Sequence, residues 1–432
     1  MKFCSTNNPN EVVGLKDAVL KGLADDNGLY MPVKMPRLSG EVLDKIQQLS
    51  FQEMAFEMAR PFMEEDITGD HLHRIIAEAL NFDVPLVSIQ DNISVLELFH
   101  GPTLAFKDFG ARFMARVLAY FTKDMDQEIH VLVATSGDTG SAVANGFLGV
   151  PGIKVHVLFP KGLVTKIQEK QFTTLGKNIT ALEVEGTFDD CQRLVKQAFL
   201  DKDFHNRLVL TSANSINLGR LIPQSFYYAY AYSQISAINP EVIVAVPSGN
   251  FGNLTAGLFA KAMGIPIKHF IAATNINDIV PQYLETSVFE PRASVSTLSN
   301  AMDVGNPSNF VRIAHMFNHS HDAIAKEITG YRFTDTEVKA IVKETLEKQG
   351  YLLDPHGAIG YAALKNYMSS HSGHGVFLET AHPAKFLDNV EPIIGRKIEI
   401  PLKLQKFIEG QSKTTPLSNR YEDLKEYLHS LK

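Results

Sequence analysis

The chain has 432 residues, a formal net charge of -7 and two cysteines, and hydrophobic residues make up 45% of it. This length provides for two or three domains, and no basic run suggests nucleic acid or an anionic membrane surface as a partner. No apolar run approaches membrane-spanning length, and the first residues lack the apolar core of a signal peptide. Cys4 and Cys191 are too few for a disulfide framework or a cysteine-rich zinc site. We therefore expect a reduced, soluble, cytoplasmic protein that binds neither nucleic acid nor membranes.

Residues 1–92 form the first predicted unit, which is mostly helical. Ser39, Ser50 and Thr68 each precede a segment with helical periodicity. Ser50 is followed three residues later by Glu53, which is the capping-box pattern of a helix N-terminus. We expect this unit to be a small helical domain that packs against the rest of the chain.

From residue 93 onward, short apolar segments alternate with segments of helical periodicity. Repeated strand–helix units of this kind predict an α/β fold, with parallel strands covered by helices on both faces. We divide this part into a smaller α/β unit at 93–236 and a larger one at 237–432. The stretch 274–310 is rich in Asn, Ser and Pro and is predicted to be irregular. The predicted strands are 93–99, 129–134, 154–159, 179–184, 208–211, 241–246, 268–273 and 376–379.

Lys107 lies where a predicted strand at 93–99 gives way to a predicted helix at 111–121. Phe106 and Phe109 flank it in the sequence. A lysine among aromatic side chains loses hydration, which disfavours its charged form and lowers its pKa. Such an amine is suited to act as a Schiff-base nucleophile, whereas the alternative is an ordinary solvated lysine beside a helix start.

A second candidate is the loop that follows the predicted strand 241–246 and precedes a predicted helix. A helix N-terminus at the carboxyl end of a buried parallel strand is the usual anion site of α/β folds. Glycines there would let backbone N–H groups approach a phosphate closely, although they could equally be plain turn glycines. The loop matches neither a Walker A sequence nor a GxGxxG dinucleotide sequence. It consists of Ser248, Gly249, Asn250, Phe251, Gly252 and Asn253.

Two further loops between a strand and a helix carry hydroxyls, amides and glycines suited to an anionic ligand. The first suits a carboxylate or phosphate, and its alternative interpretation is a plain helix cap. The second carries an arginine that fits a bidentate clamp on an anion, or else lies on the surface beside a capped helix. The candidates are Ser136, Gly137, Asp138, Thr139 and Gly140 in the first loop and Asn214, Ser215 and Arg220 in the second.

Neither a metal centre nor a serine hydrolase is expected. His315, His319 and His321 are close in sequence, but no His-Glu-x-x-His pattern and no Gly-x-Ser-x-Gly elbow is present. The chain instead combines a poorly hydrated lysine with three small-ligand loops. Pyridoxal phosphate is an anionic cofactor that forms an imine with lysine, so it would use Lys107 and one loop. The other two loops could then hold a substrate with two anionic groups.

Six motifs, taken together, resemble the threonine synthases of the longer bacterial and fungal type, over nearly the whole chain. These belong to the fold type II pyridoxal phosphate enzymes, whose relatives include the tryptophan synthase β subunit. The resemblance implies two open, twisted, mostly parallel sheets flanked by helices, in addition to the N-terminal helical domain. The motifs are HGPTLAFKDFG at 100–110, ATSGDTGSA at 134–142, SANSINLGR at 212–220, PSGNFGN at 247–253, AMDVGNPSN at 301–309 and ETAHPAKF at 379–386.

The resemblance also implies the cofactor site. Lys107 matches the Schiff-base lysine, and residues 248–253 match the loop that holds the phosphate of pyridoxal phosphate. Thr380 matches the hydroxyl residue that faces the pyridine nitrogen. The segment 354–357 resembles one that closes the site in this superfamily.

The implied reaction is a lyase reaction that converts O-phospho-L-homoserine and water to L-threonine and phosphate, the last step of threonine biosynthesis from aspartate. Residues 136–140 match the loop around the substrate carboxylate, and Asn214, Ser215 and Arg220 match positions near the substrate phosphate. The alternatives are a related fold type II lyase, such as a dehydratase or a phospho-lyase, and a non-catalytic binding protein on this scaffold. The expected assembly is a monomer or a small homo-oligomer.

Overall fold

The computed structural model describes residues 1–204, 207–237 and 241–431. Its strands are β1 (Phe3–Ser5), β2 (Val12–Val13), β3 (Tyr30–Pro32), β4 (Leu86–Gln90), β5 (Ile93–Glu97), β6 (Ile129–Ala134), β7 (Ile153–Pro160), β8 (Ile179–Glu185), β9 (Val209–Ser212), β10 (Val242–Pro247), β11 (Ile267–Thr274), β12 (Ile328–Arg332), β13 (His374–Glu379) and β14 (Thr415–Ser418). Its helices are α1 (Leu15–Lys21), α2 (Gly40–Asp44), α3 (Phe51–Met63), α4 (Gly69–Ala79), α5 (Lys107–Thr122), α6 (Asp138–Phe147), α7 (Lys166–Thr173), α8 (Phe188–Leu200), α9 (Leu218–Leu221), α10 (Phe226–Ile235), α11 (Gly252–Ala262), α12 (Ile279–Thr286), α13 (Phe310–Met316), α14 (His321–Glu327), α15 (Asp335–Gln349), α16 (Pro355–Met368), α17 (Leu387–Ile394), α18 (Leu402–Ile408) and α19 (Tyr421–His429). Short 3-10 helices lie at Ile46–Gln48, Ile222–Ser225, Asn300–Met302 and Pro383–Phe386.

The N-terminal region combines helices α1 to α4 with a small antiparallel sheet of order β2-β1-β3. Ser50 and Glu53 form the predicted capping box at the start of α3. Ser39 caps α2 with its side chain, whereas Thr68 precedes α4 without a side-chain cap. This sheet differs from the sequence-based prediction, because helical periodicity indicates a mostly helical region and does not predict its three strands.

The larger sheet has the order β12-β11-β10-β13-β5-β4 and is parallel except for the β4–β5 pair. Alternate residues of β10 enter different cores: Val244 and Val246 face one, and Ile243 and Ala245 face the other. A strand that is covered on both faces must be apolar throughout, which explains the unbroken hydrophobic run that predicted it.

The smaller sheet has the order β14-β8-β7-β6-β9, and all its pairs are parallel. Both sheets are flanked by helices, so the predicted α/β class with two mostly parallel sheets is confirmed. Sheet membership does not follow position along the chain, because β5 lies in the larger sheet and the C-terminal β14 lies in the smaller one. Helix α5 therefore connects a strand of the larger sheet to β6 of the smaller one, and it begins at Lys107.

The predicted strands agree with the observed ones to within a few residues, but three helical segments differ from prediction. Helix α5 begins at Lys107 rather than at residue 111. The stretch predicted to be irregular contains α12, whose apolar face is buried. The sequence from Asn217 to Ile235 predicts one long helix, but the structure divides it into α9, a 3-10 turn that contains Pro223, and α10, because proline lacks the N–H that a continuous helix needs. No helix in the described ranges is long and apolar enough to cross a lipid bilayer.

Candidate active site

A cleft lies where the loops at the carboxyl ends of both sheets meet. Thirteen of the sequence-predicted site residues line it, whereas Gly137, Asp138 and Gly140 lie behind its wall. The predicted residues in the cleft are Lys107, Ser136, Thr139, Asn214, Ser215, Arg220, Ser248, Gly249, Asn250, Phe251, Gly252, Asn253 and Thr380.

Lys107 is held at the start of α5 by contacts of its neighbours in sequence. Asp108, which is buried, accepts hydrogen bonds from the backbone N–H and the hydroxyl of Thr103 at 2.8 and 2.7 Å. The backbone N–H of Phe106 donates to the carbonyl oxygen of Thr380 at 2.8 Å. These bonds fix the loop before α5 and bring Lys107 and Thr380 to the same wall of the cleft.

Burial lowers the pKa of Lys107 to about 8 from its ordinary 10.5. Asp138 acts in the opposite direction, whereas Arg220 and Lys385 lower the pKa further. The ammonium nitrogen lies 5.1 Å from the centre of the Phe106 ring. The amine is therefore poorly hydrated, as the sequence predicts, and its pKa lies close to neutral pH.

The loop after β10 presents a row of free backbone donors. Within the described part of the chain, the N–H groups of residues 249–253 have no hydrogen-bond acceptor. Phe251 has a left-handed backbone, with φ of 59°, and turns the loop into the N-terminus of α11. A Cβ at Gly249 would lie 2.6 Å from the carbonyl oxygen of Ala301, so only glycine fits there. Free N–H groups at a helix N-terminus form a site for a phosphate.

Two buried nitrogen atoms next to this loop also lack partners among the described residues. The Nδ2 atom of Asn253 is one of them, although its Oδ1 accepts hydrogen bonds from the hydroxyls of Tyr227 and Tyr228 at 2.6 and 2.7 Å. The Nε atom of Arg220 is the other. A buried donor without an acceptor is costly, so both atoms indicate that the site is built for an anionic ligand.

The loop at 136–140 wraps around the hydroxyl of Thr135, which accepts from the N–H groups of Gly137 and Gly140, both at 2.8 Å. In the described structure the N–H groups of Ser136, Asp138 and Thr139 have no acceptor. Gly137 occupies the N-cap position of α6 and makes no side-chain cap, so the capping alternative is not realised. The free N–H groups form a second cradle, which suits a carboxylate.

Arg220 is buried, with a relative exposure of 2%, and burial lowers its pKa to about 10. Its Nη1 atom donates to the carbonyl oxygen of Ala213, which fixes one side of the guanidinium. Asn214 pairs through its amide with the backbone of Ala134, and the hydroxyl of Ser215 accepts from Asn309 at 2.9 Å. The arginine is thus buried, with its Nε among the unpartnered atoms of the described residues, and is not the surface residue of the alternative interpretation.

Seven lining residues were not assigned to the site from sequence. His356 belongs to the segment suspected of closing the site: Asp354 contacts its Nδ1 at 2.6 Å, and its Nε2 accepts from the Ala301 N–H at 3.2 Å. Ala301 and Met302 lie in the motif at 301–309, which supports the family resemblance but predicts no site residue. The full set is Phe106, Phe188, Gln224, Pro247, Ala301, Met302 and His356. No sequence pattern marks Phe188 or Gln224 as a site residue. Phe188 begins a helix of ordinary pattern, and Gln224 precedes one.

A larger cleft of about 790 Å³ continues outward from this one and shares Asn214, Ser215 and Asn250 with it. Its wall mixes apolar side chains with amides and hydroxyls, and it includes Lys196, His319 and His321. Within residues 1–204, 207–237 and 241–431, no cluster of three or more His, Cys, Asp or Glu side chains could hold a metal ion.

The residues present fit pyridoxal phosphate. Lys107 supplies a buried amine of lowered pKa, and residues 249–253 supply free donors for a phosphate. The hydroxyl of Thr380 has no hydrogen-bond partner among the described residues and lines the same cleft. Such a cofactor uses a lysine amine and an anion cradle, and the Thr380 hydroxyl offers a neutral partner for its ring nitrogen.

Comparison with known proteins agrees with this chemistry. Residues 2–80 match the family described as Threonine synthase N terminus, 87–378 match Pyridoxal-phosphate dependent enzyme, and 357–428 match Threonine synthase, C-terminal. The threonine synthase of Buchnera aphidicola (subspecies Acyrthosiphon pisum) is 43% identical over 430 residues, which is 99% of each chain.

Solved structures show the same relationship. The crystal structure of threonine synthase from Escherichia coli superimposes with a TM-score of 0.95 at 40% identity and covers 100% of both chains. A crystal structure of PLP-bound threonine synthase from Brucella melitensis gives 0.91 at 37% identity, again over 100% of both chains. The chain therefore belongs to the threonine synthase family of pyridoxal-phosphate-dependent enzymes.

Proposed function

We infer that the chain converts O-phospho-L-homoserine and water to L-threonine and phosphate, with Lys107 as its reactive amine. The observation that carries this proposal is the juxtaposition of a buried amine of lowered pKa with the free donor row at 249–253. Family membership supports the reaction, and the geometry supports the roles that we propose for the residues.

The cofactor would be held at three points. The N–H groups of residues 249–253 would bind its phosphate, the amine of Lys107 would bond to its aldehyde carbon, and the hydroxyl of Thr380 would meet its ring nitrogen. A hydroxyl at the last position is neutral, so it would leave that nitrogen largely uncharged. When bound, pyridoxal phosphate supplies a conjugated system that accepts the electrons released at the substrate's α-carbon.

Lys107 would move the protons. The reaction removes a proton from the α-carbon and another from the β-carbon, expels phosphate from the γ-carbon and returns a proton there. Water then adds a hydroxyl at the β-carbon, and a proton returns to the α-carbon. The Lys107 amine lines the cleft, where it could take and return these protons. A pKa of about 8 suits this task, because a general base works best when its pKa lies near the working pH.

The substrate's two anionic groups would lie at two neighbouring loops, which follow the paired strands β6 and β9. We assign its carboxylate to the loop of residues 136–140, whose free N–H groups form the second cradle. Gly137 and Gly140 would act there by keeping the loop tight around Thr135. We assign its phosphate to Asn214, Ser215 and Arg220, which line the cleft together and include a guanidinium.

The compartment and assembly are also part of this proposal. Cys4 and Cys191 are both buried and unpaired, which suits a reducing compartment such as the cytoplasm. We propose that the enzyme acts as a monomer or a small homo-oligomer and requires neither nucleic acid nor a membrane. Light scattering coupled to size-exclusion chromatography of the purified protein would measure the number of subunits.

The test is a paired product assay. Purified protein loaded with pyridoxal phosphate is mixed with O-phospho-L-homoserine, and free phosphate and threonine are measured together. Equal amounts of both are expected, with none from Lys107→Ala. Phosphate without threonine would instead indicate a related lyase, and the absence of both products would refute the assignment of the substrate.

A further inference from the structure

A buried ion pair lies directly behind the cleft. The ammonium of Lys385 contacts the Oδ1 atom of Asp138 at 2.6 Å, and the two side chains are 0% and 4% exposed. The same Oδ1 accepts a hydrogen bond from the Gln168 amide at 2.8 Å. Lys385 also donates to the carbonyl oxygen of Thr103 at 2.8 Å, in the loop that leads to Lys107.

This ion pair joins the two sheets. Asp138 opens α6, which follows β6 of the smaller sheet, whereas Lys385 lies in the 3-10 helix that follows β13 of the larger sheet. The carbonyl oxygen of Lys385 accepts from the hydroxyl of Thr165, beside α7. Neither charged side chain lines the cleft, so their effect on the chemistry must pass through other groups.

The group within their reach is Lys107. Asp138 favours its charged form, while Lys385 and Arg220 oppose it. Asp108, the next residue, is directed toward Thr103. His356 also lines the cleft, but its Nδ1 is held by Asp354. Asp138 is consequently the acidic side chain that acts on the Lys107 amine, and its carboxylate is shared with Lys385.

We propose that Lys385 is a positioning residue that shares the negative charge of Asp138 and thereby sets the basicity of the Lys107 amine. If the Asp138 carboxylate interacted with Lys107 alone, it would hold the Lys107 amine in its protonated, unreactive form. The Asp138–Lys385 pair keeps the carboxylate partly neutralised. This inference rests on Lys107 being the reactive amine of the proposed function.

The test measures the Lys107 pKa in the full-length protein stripped of cofactor. Competitive labelling with an amine-acylating reagent over a range of pH, read by mass spectrometry of the Lys107 peptide, gives that pKa without turnover. Lys385→Met is expected to raise it by about one unit, because a repelling charge is lost and Asp138 loses its other partner. Asp138→Asn is expected to lower it by a similar amount, and the double variant should return close to the parent value.

Opposite shifts that cancel in the double variant would not arise from a merely structural role. Lys170→Met is the matched control. This half-buried lysine donates to the carbonyl oxygens of Ile408 and Gly410 and forms no ion pair with a carboxylate of the described residues, so the Lys107 pKa should not change. The pH titration of the visible absorbance of the loaded protein provides a second reading of the same variants.

An unchanged Lys107 pKa in Asp138→Asn, or shifts of the same sign in both single variants, would overturn the proposal. If Lys385→Met does not fold, Asp138→Asn and the double variant still decide it. Failure of the proposed function can be distinguished from failure of this proposal, because the labelling requires no substrate. If the Lys107 pKa shifts as expected but the parent protein makes no threonine, the proposed reaction is refuted and the positioning role of Lys385 is supported.

Discussion

Phe106 donates its backbone N–H to the carbonyl oxygen of Thr380 at 2.8 Å, and thereby joins the residue before Lys107 to a residue that lines the same cleft. A short antiparallel bridge between Ala105 and Ala381 reinforces this contact. The join uses main-chain atoms only. The side chains of Lys107 and Thr380 are therefore free for the cofactor, and each can be changed without breaking it.

This relationship gives the first prediction. Thr380→Val keeps the branched shape and the carbonyl bond but removes the hydroxyl. We expect cofactor affinity to fall by about fivefold to tenfold, the worth of one neutral hydrogen bond, with no change in thermal stability without cofactor. Titration of the visible absorbance measures the affinity. An affinity equal to that of the parent would mean that the hydroxyl does not meet the cofactor.

The rate of cofactor capture should depend on pH. Only the neutral form of Lys107 attacks an aldehyde, and its pKa is about 8. We expect the capture rate of the cofactor-free protein to rise about tenfold per pH unit below pH 8 and to level off above it. Stopped-flow absorbance measures this, with Lys107→Ala as the blank. A rate that kept rising to pH 10 would indicate an ordinary solvated lysine.

Arg220→Gln should discriminate between phosphorylated and unphosphorylated ligands. The unpaired guanidinium N–H is assigned to the substrate phosphate, and a hydrogen bond to a charged group contributes about 1.5–3 kcal/mol. The KM for O-phospho-L-homoserine should therefore rise roughly 10- to 100-fold. The inhibition constant of L-homoserine should barely change. Equal losses for both ligands would place the phosphate elsewhere.

Gly249→Ala should damage the phosphate cradle. The added Cβ would lie 2.6 Å from the carbonyl oxygen of Ala301, so the loop must shift and its N–H groups must move with it. We expect cofactor affinity to fall at least about tenfold. Gly40→Ala at the start of α2, where a Cβ meets nothing within 4 Å, is the matched control. Parent-like affinity in Gly249→Ala would contradict the assignment.

The Asp138–Lys385 ion pair should also contribute to stability. Removal of one partner of a buried pair typically costs about 3–5 kcal/mol, so Lys385→Met should lower the free energy of unfolding by that order. Urea denaturation measures it. Lys397→Met is the control, because Lys397 is 92% exposed in its pair with Glu391 and exposed pairs contribute less than about 1 kcal/mol. A double variant with Asp138→Asn should lose less than Lys385→Met alone.

This stabilisation should be sensitive to acid. Burial alone would raise the pKa of Asp138, but Lys385, Lys107 and the Gln168 amide outweigh burial and hold it at about 2. Its ordinary value is 3.8, so the contribution is fully present above pH 3.8 and is lost as the pH falls toward 2. The acid unfolding of Asp138→Asn should therefore lack this component. An acid transition identical to the parent's would contradict this.

Much of the site could be predicted because loops at the ends of apolar strands are easy to recognise. The strand β10, buried on both faces, appears as an unbroken apolar run, and the Gly-Asn loop that follows it appears as an anion site. Lys107 is identified by its aromatic neighbours, although its helix begins earlier than the periodicity indicates. Residue roles in substrate binding remain predictions.

Long-range pairing could not be predicted from local pattern. Nothing in the sequence around Thr415–Ser418 indicates that this strand completes the smaller sheet, because its partner β8 is distant in the chain. For the same reason, the sequence places Lys385 in the motif at 379–386 but does not predict its contact with Asp138. Phe188 and Gln224 reach the cleft through the packing of their helices.

The crossing of α5 between the sheets has a consequence for the order of assembly during folding. Lys385 and Thr103, whose contact seats the lysine loop, are separated by 282 positions in the chain. Contacts of such sequence separation form slowly, because the intervening chain must first be ordered. The cofactor-binding form should accordingly be among the last to appear during refolding. The appearance of visible absorbance would then report completion of the native topology, and not merely the presence of secondary structure.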